Sequence, residues 1–213
     1  GTRGQAPLFL LPIALLLGVA AAIAGLAGVT IAVSPYAYSL GVQLDALSGP
    51  QLIPQPWTLL TGCLALLLGG LPIFDPRPGE TTEAQQTLAE AVRAADGIIV
   101  ASPGYHGSIS GVIKNALDTL ELTREDPQPY LTAKPVGAII TADGWQAAGT
   151  TLMALRAIIH ALRGWPTPFG AALNAGAGLF DEAGDCRDQK DAWQLATVAE
   201  QVVEFAKMKA ASR

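Results

Sequence analysis

From Ser102 to Ser108 the chain reads SPGYHGS, a run of small and polar residues set directly behind the apolar block Ile98–Ala101. Placed between a strand and a helix, such a run supplies hydrogen bonds from unpaired backbone N–H groups to a ligand. Acid–base or nucleophilic chemistry has little to draw on. The histidines are His106 and His160, and no Ser-His-Asp, Walker A or GxGxxG pattern occurs. His160 falls in a helical apolar pattern without a nucleophile motif nearby, so it reads as a structural or surface residue. Cys63 and Cys186 lie far apart and form neither a disulfide framework nor a ligand cluster. Without HExxH or CxxC, no zinc site is expected.

The elements that must position this run are legible around it. Ile98, Ile99, Val100 and Ala101 form a continuous apolar block, the pattern of a parallel strand covered on both faces, and Pro103, Gly104 and Gly107 are expected to end it. Beyond, Ile109, Val112, Ile113, Ala116, Leu117 and Leu120 recur at helical spacing. Ser108 or Ser110 is in place to cap that helix, and Lys114 and Asp118 form an i,i+4 pair on its polar side. The run therefore sits at the carboxyl edge of a sheet, where open α/β folds bind ligands.

In the same stretch Ser102, Pro103, Tyr105, Gly107, Ser108, Gly111, Lys114, Asn115 and Asp118 stand in the register S-P-x-Y-x-G-S-x-x-G-x-x-K-N-x-x-D. This resembles the NAD(P)H-dependent FMN reductases of flavodoxin-like fold, a family that includes quinone, azo-dye and chromate reductases. Leu71-Pro72-Ile73-Phe74-Asp75-Pro76 is similar to the L-P-x-[YF]-D-P turn after their second strand. The resemblance implies that Pro103, Gly104, Tyr105, His106, Gly107 and Ser108 hold the polar edge of an isoalloxazine, with Tyr105 beside the ring and His106 where Asn is common. It implies a phosphate turn at Ser34, Tyr36 and Ser39, although Val33 and Tyr36 replace the glycine and arginine of G-S-x-R-x-x-S. Serines in a turn equally serve as caps. It further implies that Gly144, the one glycine left of a Gly-Gly pair, approaches the flavin. Asp143 accepts a bond from the ring or ribityl chain or, as the residues favour, caps the next helix.

The rest of the chain supplies alternating strands and helices. Gly28–Val33 reads as strand one, Leu64–Leu68 as strand two, Ile98–Ala101 as strand three, Pro135–Thr141 as strand four and Phe169–Leu173 as strand five. Leu88, Ala91, Val92 and Ala95 mark a helix closed by Asp96-Gly97, and Leu152, Leu155, Ile158, Ile159 and Leu162 mark another. Trp193, Leu195, Val198, Val202, Val203 and Phe205 line a last helix ending in Lys207 and Lys209. The expected fold is α/β, a flavodoxin-like doubly wound five-stranded parallel sheet of order 2-1-3-4-5 with helices on both faces. Residues 28–213 form the domain and residues 1–27 an apolar N-terminal extension.

With 213 residues, a formal charge of −5 and a pI near 4.9, the chain lacks the clustered Lys and Arg of a nucleic-acid surface. Residues 7–33 are apolar enough to cross a bilayer, but Pro12, Gly18, Gly25 and Gly28 interrupt them, so a buried core segment and a cytoplasmic, reducing location are expected. The resemblance implies an enzyme passing hydride from NADPH or NADH through N5 of bound FMN to free flavin, a quinone or another small acceptor, with no catalytic side chain required. It also implies a homodimer or homotetramer through the helix of Lys114 and Asp118. The alternatives are an electron carrier that does not use NAD(P)H directly, a membrane-tethered quinone reductase, and a scaffold that has lost its cofactor.

Overall fold

The computed structural model describes residues 29–33 (backbone only), 68, 71–77, 79, 81–175, 178–179 and 186–212. Ser34, Tyr36, Ser39 and the apolar residues 7–28 lie outside them. The elements in chain order are β1 (Val29–Val33), α1 (Glu83–Ala94), β2 (Gly97–Tyr105), β3 (Ser108–Ile109) and α2 (Gly111–Thr119). There follow β4 (Pro135–Ala142), α3 (Trp145–Ala161), β5 (Trp165–Pro166), β6 (Ala171–Asn174) and α4 (Gln189–Ala211).

The central pairs are parallel. Ile31 faces Ile99 across β1 and β2, and Val100 faces Ala138 across β2 and β4. Beyond β4 lies an edge strand in two pieces, with Val136 opposite Pro166 and Ile139 opposite Ala171. Two extra residues are therefore looped out between β5 and β6. Their main chain is held by side chains: Arg156 Nη1 donates to Thr167 O at 2.6 Å, and Phe169 N donates to Gln201 Oε1 at 2.8 Å. The described strands keep the expected succession 1-3-4-5, but the sheet departs from the expected five parallel strands: β3 pairs antiparallel with β2, and the fifth strand is divided into β5 and β6. Of the expected second strand only Leu68 is described, and its backbone is helical.

Strand alternation sorts the helices onto two faces. Ile98, Val100, Val136, Ala138, Ile140 and Ala142 pack with Leu88 and Val92 of α1, Ile113, Ala116 and Leu117 of α2, and Leu155 and Ile159 of α3. Each large aliphatic side chain buried there contributes about 1.5–3 kcal/mol. The opposite face receives α4. Gly137 permits this contact, because a Cβ there would stand 2.5 Å from Val198 Cγ1 and 3.0 Å from Val202 Cγ2.

Two local expectations change. Strand β2 does not end at Ala101 but runs through Ser102, Pro103 and Gly104 to Tyr105. Proline is tolerated because Pro103 occupies the last rung opposite Thr141, and Gly104 and Tyr105 then pair with β3. Helix α1 ends without a left-handed glycine, since Ala95 is already extended (φ −75°, ψ 137°) and Gly97 opens β2. The buried Lys134 ammonium instead donates to the Arg93 carbonyl at 3.2 Å and to that of Ala95. Those are orphan acceptors of a helix end, where a cation is favoured.

Candidate functional site

Because Pro103 and Thr141 are cross-strand partners, β2 and β4 leave the sheet side by side and place two elbows on one edge. The first is a β-hairpin rather than an open loop. Tyr105 pairs with Ser108, leaving a two-residue connection at His106 (φ 51°) and Gly107 (φ 86°). Two consecutive positive φ values are the signature of a type I′ turn, which fits strand twist and favours Asn-Gly. His106 in the Asn position carries backbone strain of roughly 1–2 kcal/mol. Tyr105 is 44% exposed.

The root of the hairpin is latched by serines. Ser102, only 2% exposed, accepts from Ser110 N at 3.0 Å and donates from its Oγ to Pro103 O at 2.9 Å. Ser110 Oγ in turn accepts from Ile113 N at 3.3 Å and caps α2, so of the two expected caps it is Ser110 that serves. Buried Thr151 of α3 braces the other side. A Cβ on Gly104 would lie 2.8 Å from Thr151 Oγ1, which also reaches Ser108 O at 3.5 Å.

The second elbow is Asp143-Gly144 at the end of β4. Asp143 does not cap α3. The N-cap position is Gly144, at φ 113° and ψ 147°, and it has no side-chain capping bond. A left-handed conformation of this kind belongs to glycine, and it turns the chain before the exposed Asp143 carboxylate can fold back onto the helix start. Gly144 N donates to Asn174 Oδ1 at 3.1 Å. On both Gly107 and Gly144 the side where a Cβ would stand is open, with no atom within 4 Å. Thr141 Oγ1, at the carboxyl end of β4, is buried without a hydrogen-bond partner, the condition that a ligand or water normally relieves.

The motif positions on α2 divide into two kinds. Lys114 and Asp118 form the expected exposed pair at 2.6 Å. Asn115 instead clamps the LPIFDP turn, accepting from Phe74 N at 2.8 Å and donating to Pro72 O at 2.9 Å. That clamp presents Ile73, 88% exposed, at the rim of an apolar groove of about 500 Å³ shared with Leu71, Tyr105 and Val112. A larger cleft, about 730 Å³, lies between residues 72–85 and 121–124, away from the elbows. Its cations are already answered, Arg77 by Asp75 and Arg124 by Glu121 and Glu125. The hydrogen bonds from Arg77 hold the Asp75 carboxyl below its ordinary range.

The edge thus gathers Pro103, Gly104, Tyr105, His106, Gly107, Ser108, Asp143 and Gly144, whereas His160 is an exposed residue of α3. Sequence reasoning missed Thr151 and Asn174. For Asn174 the available signal was an amide ending the apolar run Ala171–Leu173 at the ligand edge.

Residues 64–177, more than half of the chain, match the family model described as NADPH-dependent FMN reductase. The chain belongs to this family. It is 38% identical over 93 residues to the FMN-dependent NADPH-azoreductase of Staphylococcus aureus, a match covering 44% of this chain and 46% of that protein. The chain therefore spans about half the length of the curated relatives it matches. Among solved structures, the flavoenzyme NAD(P)H:(acceptor) oxidoreductase FerB from Paracoccus denitrificans superposes with a TM-score of 0.57 at 23% identity, covering 66% of this chain and 78% of FerB. RosB superposes at 0.54 with 16% identity over 84% of this chain and 79% of its own. These likenesses place the sheet and its helices in the flavodoxin-like fold.

Among the described residues no helix is long and apolar enough to cross a membrane, and no cluster of three or more His, Cys, Asp or Glu is placed to hold a metal ion.

Proposed function

We propose that the protein is an FMN-dependent oxidoreductase that takes hydride from NADPH or NADH and delivers it to free flavin, a quinone, an azo compound or a similar small acceptor. One observation carries the reading: two positive-φ glycines, Gly107 and Gly144, stand on neighbouring elbows with open space where side chains would be. A flat ring can approach main chain only where no Cβ intervenes.

The residues present fit a flavin. In this reading the hairpin from Pro103 to Ser108 offers main-chain groups to the polar edge of the ring, and half-exposed Tyr105 lies beside it. Gly144 admits the ring from the β4 side, with Asp143 on the rim. Ser34, Tyr36 and Ser39 are assigned to the phosphate on the family resemblance. Bound FMN supplies the two-electron chemistry. The work of the chain is to bind and orient, and the Ser102–Ser110 latch and the Thr151 brace fix the hairpin before a ligand arrives. Such preorganisation spares the cost of ordering the loop on binding.

We also read the protein as a cytoplasmic homo-oligomer, in keeping with its two separated cysteines. The outward face of α3 supports association. Trp145 and Met153 are 60% and 67% exposed, and Arg156, the one Arg, Lys, Asp or Glu of the helix, donates to Thr167 O. Helix α2 carries the exposed Lys114–Asp118 pair instead. Light scattering decides it, and a monomer at micromolar concentration would contradict it.

The test of function is NADPH oxidation by FMN-loaded protein with a quinone or an azo dye as acceptor. Turnover is expected in wild type and loss of flavin in Gly107→Val. A variant retaining flavin normally, or NADPH oxidation requiring a separate reductase, would overturn the proposal.

A further inference from the structure

The last rung between β4 and β6 pairs Ala142 with Asn174. One step further, Ala175 N still donates to Ala142 O at 2.8 Å. There the main-chain ladder ends, because Gly144 turns away at φ 113° to begin α3. The Asn174 side chain continues it: its Oδ1 accepts from Gly144 N at 3.1 Å, across 30 residues of sequence. The amide oxygen stands in for the strand carbonyl that would come next. We infer that Asn174 is a positioning residue of the ligand edge, fixing where the β4–α3 elbow leaves the sheet.

Three features assign this role to Asn174 rather than to the elbow itself. Gly144 has no side chain of its own to anchor it, and the space where a Cβ would stand is open. Asp143 forms no cap, so the start of α3 has no side-chain anchor. The Gly144 N–H, spent on Asn174, is also unavailable to a ligand, which leaves Gly144 to act through its bare Cα surface. The register of that surface against the hairpin then depends on the Asn174 amide, itself carried at the end of a strand whose Leu173 is fully buried.

The consequence for flavin rests on the functional reading above, and the experiment separates the two. Amide exchange is measured on FMN-free protein, and FMN affinity on the same preparations, for wild type, Asn174→Leu and Asn174→Asp. Aspartate keeps an acceptor at the position of Oδ1 and drops the donors of the amide; leucine keeps bulk and drops both. In Asn174→Leu the Gly144 amide is expected to exchange faster, and FMN to bind about five- to tenfold more weakly, the worth of roughly one hydrogen bond. Asn174→Asp is expected to restore Gly144 protection and bring FMN affinity back to within about twofold of wild type. Unchanged Gly144 exchange in Asn174→Leu, or an Asp variant as impaired as the Leu variant, would overturn the inference. Failure of wild type to bind FMN would instead defeat the functional reading, while Gly144 exchange would still decide the role of Asn174.

Discussion

Replacing Ser102 by alanine probes how the hairpin is held. The substitution removes one oxygen from a site only 2% exposed and opens no significant cavity, so hydrogen bonding dominates the outcome. Two bonds are lost, from Ser110 N at 3.0 Å and to Pro103 O at 2.9 Å. Each is worth about 1 kcal/mol net. The Ser110 amide, in a residue 3% exposed, is then left without its acceptor, at a further cost of about 1–3 kcal/mol. The total, about 3–5 kcal/mol, is large against the net stability of a domain. For a chain of this size it lowers the melting temperature by about 6–20 °C. Urea unfolding of FMN-free Ser102→Ala and wild type measures the difference, and flavin fluorescence titration measures the accompanying loss of affinity. A stability change below about 0.5 kcal/mol, the range of an ordinary surface substitution, would refute the latch.

Three further predictions follow from packing, clamping and charge. Gly137→Ala drives a Cβ into Val198 and Val202 and is expected to cost about 1–3 kcal/mol, most of it recovered in the double variant with Val198→Ala; equal losses in single and double variants would contradict the α4 contact. Asn115→Ala should loosen the LPIFDP turn by about 1–2 kcal/mol, seen as faster exchange of the Phe74 amide while the amides of β4 are unchanged. The Asp191 carboxyl is raised above its ordinary range, chiefly by burial and then by Asp188, against opposing contributions from Gln194 and Lys190. A raised carboxyl contributes stability that is fully present below the ordinary carboxylate pKa and lost as pH rises through the folded value. Wild type should therefore lose stability relative to Asp191→Asn across that window, and a constant gap between their urea midpoints would contradict it.

The parts of the fold written in continuous apolar runs were legible. Ile98–Ala101 and Pro135–Thr141 became strands because both faces of each are buried, and Ile113, Ala116 and Leu117 faced the sheet as their spacing required. The carboxyl edge that carries the candidate site was located from the same pattern, since a strand running into a helix fixes where that edge lies. The hairpin was not legible, because Pro103 and Gly104 read as breakers until the last-rung position and the partner strand β3 are known. Asp143 was misread as a cap, since a one-residue difference in where the backbone turns separates a capping carboxylate from an exposed one. Asn174 was missed because its partner is 30 residues away: the amide ending the run Ala171–Leu173 marks a polar group at the edge, and nothing local says what it pairs with. The phosphate assignments Ser34, Tyr36 and Ser39 rest on the resemblance, outside the described residues.

The central claim is that the hairpin Pro103–Ser108 and the elbow Asp143–Gly144 together hold a flavin. The most direct test is to follow backbone amide resonances of the FMN-free protein as FMN is added. The account predicts that shifts concentrate at residues 104–108 and 143–145 and saturate with one flavin per chain, while the cleft lined by Arg77 and Arg124 stays unmoved. Saturable shifts centred on that cleft, or none at all, would contradict it.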